Sequence, residues 1–133
     1  MKFFKLLLAG LAVGTLASTA VGHHSTNGIY DQTVETELEG TVKAWRFINP
    51  HPSLTLTVKG ADGVEHDWDL SYGGSAVAHL KRRGYTVDTF KVGDKIIAKG
   101  HPALAAGQFG LLMEGGGGDP TYADGKPLPG VVR

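Results

Sequence analysis

The chain has 133 residues, with 13 basic and 13 acidic side chains and no cysteine. Without cysteine there are no disulfides, no thiolate zinc or Cu(I) sites and no redox dithiols, so the fold depends on its apolar core. The charge balance lacks the basic excess that nucleic-acid binders carry, and the one cationic cluster, Lys81, Arg82 and Arg83, reads as a solvated helix end.

Lys2 and Lys5 precede an apolar run from Leu6 to Ala17, which closes on Ser, Thr, Ala and Gly. That is the layout of a secretory signal: basic start, apolar middle, small residues at the cut. The run is shorter than the roughly 20 residues a membrane span needs, and no second run follows, so the expectation is a periplasmic protein with no span after cleavage. Ala20 with Gly22 sets a cut that exposes His23, and Ser18 with Ala20 sets one that exposes Val21. Removing residues 1–22 leaves 111 residues, with 11 basic and 13 acidic side chains, a net charge of −2. That is enough for one small domain.

Residues 23–33 read as an extended polar arm. "VETELEGTVKAWRFI", Val34 to Ile48, places Leu38, Val42 and Ala44 on one face and charged residues on the other, a long first strand with Gly40 as the place for a bend or bulge. "NPHP" is a turn, because each proline fixes its own φ and restricts its predecessor. "SLTLTVKG" turns Leu54, Leu56 and Val58 inward as a second strand, and "VEHDWDL" turns Val64, His66, Trp68 and Leu70 inward as a third. "GSAVAHLKRRGY" changes to a helical period, with Ser75 as cap and Gly84 as stop. "VGDKIIAKG" is a fourth strand closed by Gly100, and "FGLLMEG" is the fifth. Residues 116–133, rich in Gly and Pro, read as an irregular or mobile tail.

Three strands, a helix and two strands within residues 34–115 predict an all-β domain with one short helix, arranged as a five-stranded OB-like Greek-key barrel. An open β-sandwich with a covering helix buries the same residues and is the alternative.

The post-signal "HHS", the turn in "EGTVKAWRFINPH", the third-strand tryptophan, the "RRG" helix end and "GDKIIAKGHPA" resemble a family of small exported Gram-negative bacterial proteins catalogued as a domain of unknown function. The resemblance extends over the whole mature chain and implies compartment and fold, with no activity attached. Cleavage directly before the paired histidines is implied by it.

Chemistry therefore rests on six histidines, at positions 23, 24, 51, 66, 79 and 101. An exposed His23 offers amine and imidazole to one metal, and His51 on the proline-flanked turn is the best third nitrogen for a Cu(II) site, with His24 in support. A terminus at Val21 instead gives Val-Gly-His, a square-planar Cu(II) or Ni(II) chelate. His66 alternates with core residues and reads as an interior histidine, and His79 and His101 read as exposed. Glu37, Glu39, Asp67 and Asp69 stand at every other position, the wet side of a sheet rather than an acid–base pair. Ser25 and Asp31 have no nucleophile elbow around them, and "GGGGD" lacks the lysine and helix of a phosphate loop. The leading expectation is a non-enzymatic periplasmic protein that binds or handles copper through His23, His24 and His51. The alternative is a barrel module that binds a protein, oligosaccharide or small ligand through Trp45, Phe47 and Tyr72. Trp68 is assigned to core packing.

Overall fold

The computed structural model describes residues 26–113 and 118–132; the segment expected to be a signal, His23 and His24 lie outside them. A 3-10 turn, Thr26–Gly28, precedes β1 (Thr36–Arg46), β2 (Ser53–Lys59), β3 (Glu65–Ser71), helix α1 (Val77–Arg82), β4 (Lys95–Pro102), β5 (Gly110–Leu112) and β6 (Thr121–Tyr122). Strand β1 lies antiparallel to both β2 and β4, β2 to β3, and β4 to β5, while β3 and β5 run parallel. The circuit 1-2-3-5-4-1 closes on itself, with α1 between β3 and β4. This is the expected OB-like barrel; pairing of β1 along two neighbours joins what a sandwich would leave as two sheets. Strand β6 adds to the outside of β4.

Strands β1 and β4 each pair with one neighbour along their first part and another along their second, which bends the strand between them, and a glycine stands at each of these handovers. The first half of β1 pairs with β4 and the second with β2, the change coming at Thr41. A Cβ on adjacent Gly40 would lie 2.8 Å from the Thr57 carbonyl and 2.9 Å from Val58. In β4 the handover from β1 to β5 comes at Gly100, which pairs with Thr36 just before His101 meets Leu112. Gly100 therefore does not close the fourth strand; the chain passes through it to Pro102.

The β1 bulge falls between Val42 and Ala44, past the Gly40 bend. Leu38 and Val42 are buried as expected, but the extra residue reverses the period-2 phase, so Trp45 and Phe47 rather than Ala44 pack on the core. Leu54, Leu56 and Val58 of β2 are buried without correction. In β3 only Leu70 is fully buried; Val64 precedes the strand and is exposed, and His66 and Trp68 are half-buried near the barrel's end. Helix α1 begins after Ala76 with no side-chain cap, rather than at Ser75, and stops at Gly84, which has φ +87.

The C-terminal segment is not loose where it is described. Beyond the β6 pairing, the Arg83 guanidinium donates to both Asp119 carboxylate oxygens at 2.8 and 2.6 Å, and the Tyr85 hydroxyl donates to Asp119 at 2.5 Å. Leu128 is buried in the core, and the Val132 amide donates to the Arg83 carbonyl at 2.9 Å. A segment without hydrophobic period is thus held by a few tertiary anchors that spacing does not reveal.

Candidate functional site

The arm before β1 is bound rather than free. Ile29 and Tyr30 amides close on the Thr26 carbonyl at 3.0 and 2.9 Å, the Asp31 amide donates to Pro102 at 2.8 Å, and the Leu104 amide donates to Ile29 at 2.8 Å. Tyr30 forms a bridge to Ala103. Asp31 then turns the chain into β1: its carboxylate accepts from the Thr33 amide at 2.9 Å and the Thr33 hydroxyl at 2.6 Å, which hold it below the usual carboxylate range. The loop from β4 to β5, residues 103–109, therefore carries the arm on its flank.

Across from this arm lies the outer face of β3. Register places Thr57 opposite Asp67 and Thr55 opposite Asp69, and both hydroxyls donate across the sheet, at 2.8 and 3.0 Å. Lys43 also pairs with Asp67. Together the lysine and then the Thr57 hydroxyl hold the Asp67 carboxyl below the usual range. Asp69 has one oxygen engaged by Thr55, and no described residue donates to its Oδ2.

Phe109 closes the third side. Its carbonyl accepts the Asp69 amide at 3.0 Å, which fixes the loop end against β3. Its ring stacks on His66 with centroids 4.0 Å apart and planes 13° from parallel, and meets Trp68 edge-on at 5.4 Å. Gly110 keeps the floor open, since a Cβ there would stand 3.4 Å from Ala103 and 3.6 Å from the Tyr30 ring. The result is a groove of about 350 Å³ lined by Ile29, Tyr30, Asp67, Asp69, Ala103, Gln108, Phe109 and Gly110. Its size falls in the range of small-molecule sites, and two carboxylates and the Tyr30 side chain are in its lining. A second groove, about 410 Å³, crosses β1 and β2, but Lys59 and Lys95 there share the walls with Glu39 and Glu65, so opposite charges offset one another.

The residues singled out from the sequence are dispersed. His51 is exposed on the turn after β1, and none of the described hydrogen bonds involves it; His23 and His24 lie outside the described residues. Among the described residues no three His, Cys, Asp or Glu side chains come together as metal ligands. His66 stacks on Phe109, His79 is exposed on α1, and His101 is half-buried with Nδ1 2.7 Å from the Val34 carbonyl.

Trp45 and Phe47 pack partly buried against the core, and Tyr72 is buried within it. Trp45 packs among Phe47, Tyr72, Tyr85 and Phe90, with centroids 5.0 to 6.3 Å away, and its indole N–H donates to the Thr86 carbonyl at 2.9 Å. Tyr72 is 7% exposed. The β1 bulge is the reason, because it turns this stretch toward the core. Tyr30, Gln108 and Phe109, which do line a groove, carry no local signal of it, because the arm and the β4–β5 loop reach β3 only through pairings distant in sequence. The one local signal was the alternation of Asp67 and Asp69, which marks an outer face without showing what stands over it.

No curated protein and no solved structure gives a significant match to the chain. A family sequence model does, over residues 11–112, a span that includes β1 through β5. The chain therefore belongs to DUF6152, a family of unknown function.

Proposed function

We propose that this is a non-enzymatic periplasmic binding module whose ligand sits in the groove between the arm, β3 and the β4–β5 loop. The observation that carries this reading is the groove itself: about 350 Å³, with two carboxylates on a rigid strand and Tyr30 and Phe109 also in its lining. OB-type barrels use the faces of their second and third strands and the loop between the fourth and fifth for ligands, a fold-level analogy that agrees in position. The test is a thermal-shift screen of the mature protein against maltotriose, glutamate, spermidine and a basic tetrapeptide. At least one probe is expected to raise the midpoint by a few degrees, as ligand linkage requires, and Phe109→Leu is expected to abolish that rise. A rise that Phe109→Leu leaves intact, or no rise with any probe, overturns the reading.

A second reading, copper capture at the N-terminus, is favoured by one observation, the exposed His51 imidazole, which none of the described hydrogen bonds engages. In a chain cut after Gly22, the His23 amine and imidazole chelate Cu(II) and His51 supplies the third nitrogen, with His24 beside them. Cu(II) titration of the mature protein is expected to give affinity well above that of a generic peptide, with a loss of at least tenfold on His23→Ala and on His51→Ala. Affinity unchanged by His23→Ala overturns it.

A further inference from the structure

We infer that the groove is an arginine-reading site: it takes the guanidinium of one arginine, carried on a polypeptide segment with apolar residues beside it. This rests on the binding-module reading above and names its ligand class.

Three observations support it. The first is charge. Asp67 is offset by Lys43, whereas the Asp69 carboxylate meets only the neutral Thr55 hydroxyl and presents Oδ2 without a described donor. A cation is the complement, and a phosphate or nucleic-acid ligand would be repelled. The second is shape. The Tyr30 ring lines the groove beside that carboxylate, 3.6 Å from where a Cβ on Gly110 would stand, while the Phe109 ring lies on His66 at the groove's end. A guanidinium is planar, stacks on aromatic faces and donates through two N–H groups at once, whereas an ammonium is a compact and strongly hydrated charge. The third is the rim. Ile29 is 55% and Leu104 52% exposed, the backbone bond from Leu104 to Ile29 sets them side by side, and Phe109, 36% exposed, lines the groove together with Ile29. Free arginine leaves such a rim in water. Apolar residues flanking an arginine cover it.

The experiment is isothermal titration of the mature protein with acetyl-Leu-Arg-Leu amide, with its citrulline counterpart, and with acetyl-arginine amide. The arginine peptide is expected to bind at least about tenfold more tightly than either comparison, in line with the size of charge-assisted and cation–π contacts. Asp69→Asn and Tyr30→Leu should each weaken it about tenfold, with Glu39→Gln in the other groove unchanged. Far-UV dichroism of each variant establishes that it is folded; should Tyr30→Leu fail to fold, Phe109→Leu takes its place. Equal binding of the citrulline peptide, or no effect of Asp69→Asn, overturns the guanidinium assignment. Equal binding of acetyl-arginine amide overturns the polypeptide. Loss of the arginine result while maltotriose or glutamate still binds in a Phe109-dependent way overturns this inference and leaves the binding module standing. Failure of every probe overturns both.

Discussion

Gly100→Ala is expected to lower the melting midpoint by roughly 10–20 °C. The added Cβ would lie 2.1 Å from the Leu112 carbonyl oxygen and 2.8 Å from its carbon. These are backbone atoms of β5, so no side-chain rotation relieves the contact; either β5 moves off β4 or the handover at His101 and Leu112 is lost. Overpacking in a filled interior costs roughly 1–3 kcal/mol, and a clash with backbone at the closing seam belongs at the upper end. For a domain of about 100 residues each kcal/mol is worth about 4–8 °C. Gly74→Ala is the control, because nothing lies within 4 Å of its Cβ position. It should stay within about 0.5 kcal/mol of the parent, as an unencumbered surface change does. Thermal denaturation followed by far-UV dichroism reads both, and a Gly100→Ala midpoint within 3 °C of the control would refute the closing role.

The handover glycines also show what the sequence made legible. Strand β2 was fully readable because Leu54, Leu56 and Val58 alternate without interruption and meet one partner on each side. Strand β1 was readable only to Val42. Beyond it the inward set depends on a bulge, and a bulge is defined by pairing, so nothing local distinguished an outward Trp45 from the inward one. Gly100 looked like a terminator for a similar reason: as a residue type it marks both strand ends and close approaches, and only the position of Leu112 decides between them.

The site was legible to a smaller degree. Asp67 and Asp69 announced an outer face, yet the groove depends on Tyr30 bridging Ala103 and on Phe109 stacking over His66, contacts between segments far apart in the chain. The histidines gave the opposite lesson. Their side-chain chemistry made them conspicuous, but those described lie on a turn, on β3, on α1 and at the end of β4, without converging. Residue type proposes chemistry; only topology decides which residues meet.

Asp119→Ala is expected to destabilise the protein by about 3 kcal/mol and to change how it fails in alkali. The Asp119 side chain is 8% exposed and holds three donated bonds, two from Arg83 and one from Tyr85. Removing it leaves the buried Tyr85 hydroxyl without its acceptor, which costs roughly 1–3 kcal/mol. The unpaired Arg83 adds less than a fully buried ion would, since its side chain is 34% exposed and water screens it. Asp119→Asn keeps an acceptor for Tyr85 and should cost only about 1 kcal/mol. The alkaline limb follows from the same cluster. Burial, then the hydrogen bond and charge of Asp119, push the Tyr85 phenol well above its ordinary value; burial, then neighbouring Tyr85, do the same to Tyr72. Both phenols hold their protons more tightly folded than unfolded. Their contribution is therefore complete below about pH 10, the ordinary tyrosine value, and is lost as pH rises above it, at about 1.4 kcal/mol per pH unit for each phenol. Phenolate absorbance of the parent protein should show Tyr72 and Tyr85 ionising only together with loss of the far-UV signal. In Asp119→Asn the carboxylate charge that opposes ionisation of Tyr85 is gone, so phenolate should form at lower pH while the barrel is still folded. Ionisation of all four tyrosines in the folded parent protein near pH 10 would contradict this account, because it would mean that Tyr85 and Tyr72 reach water without the barrel opening.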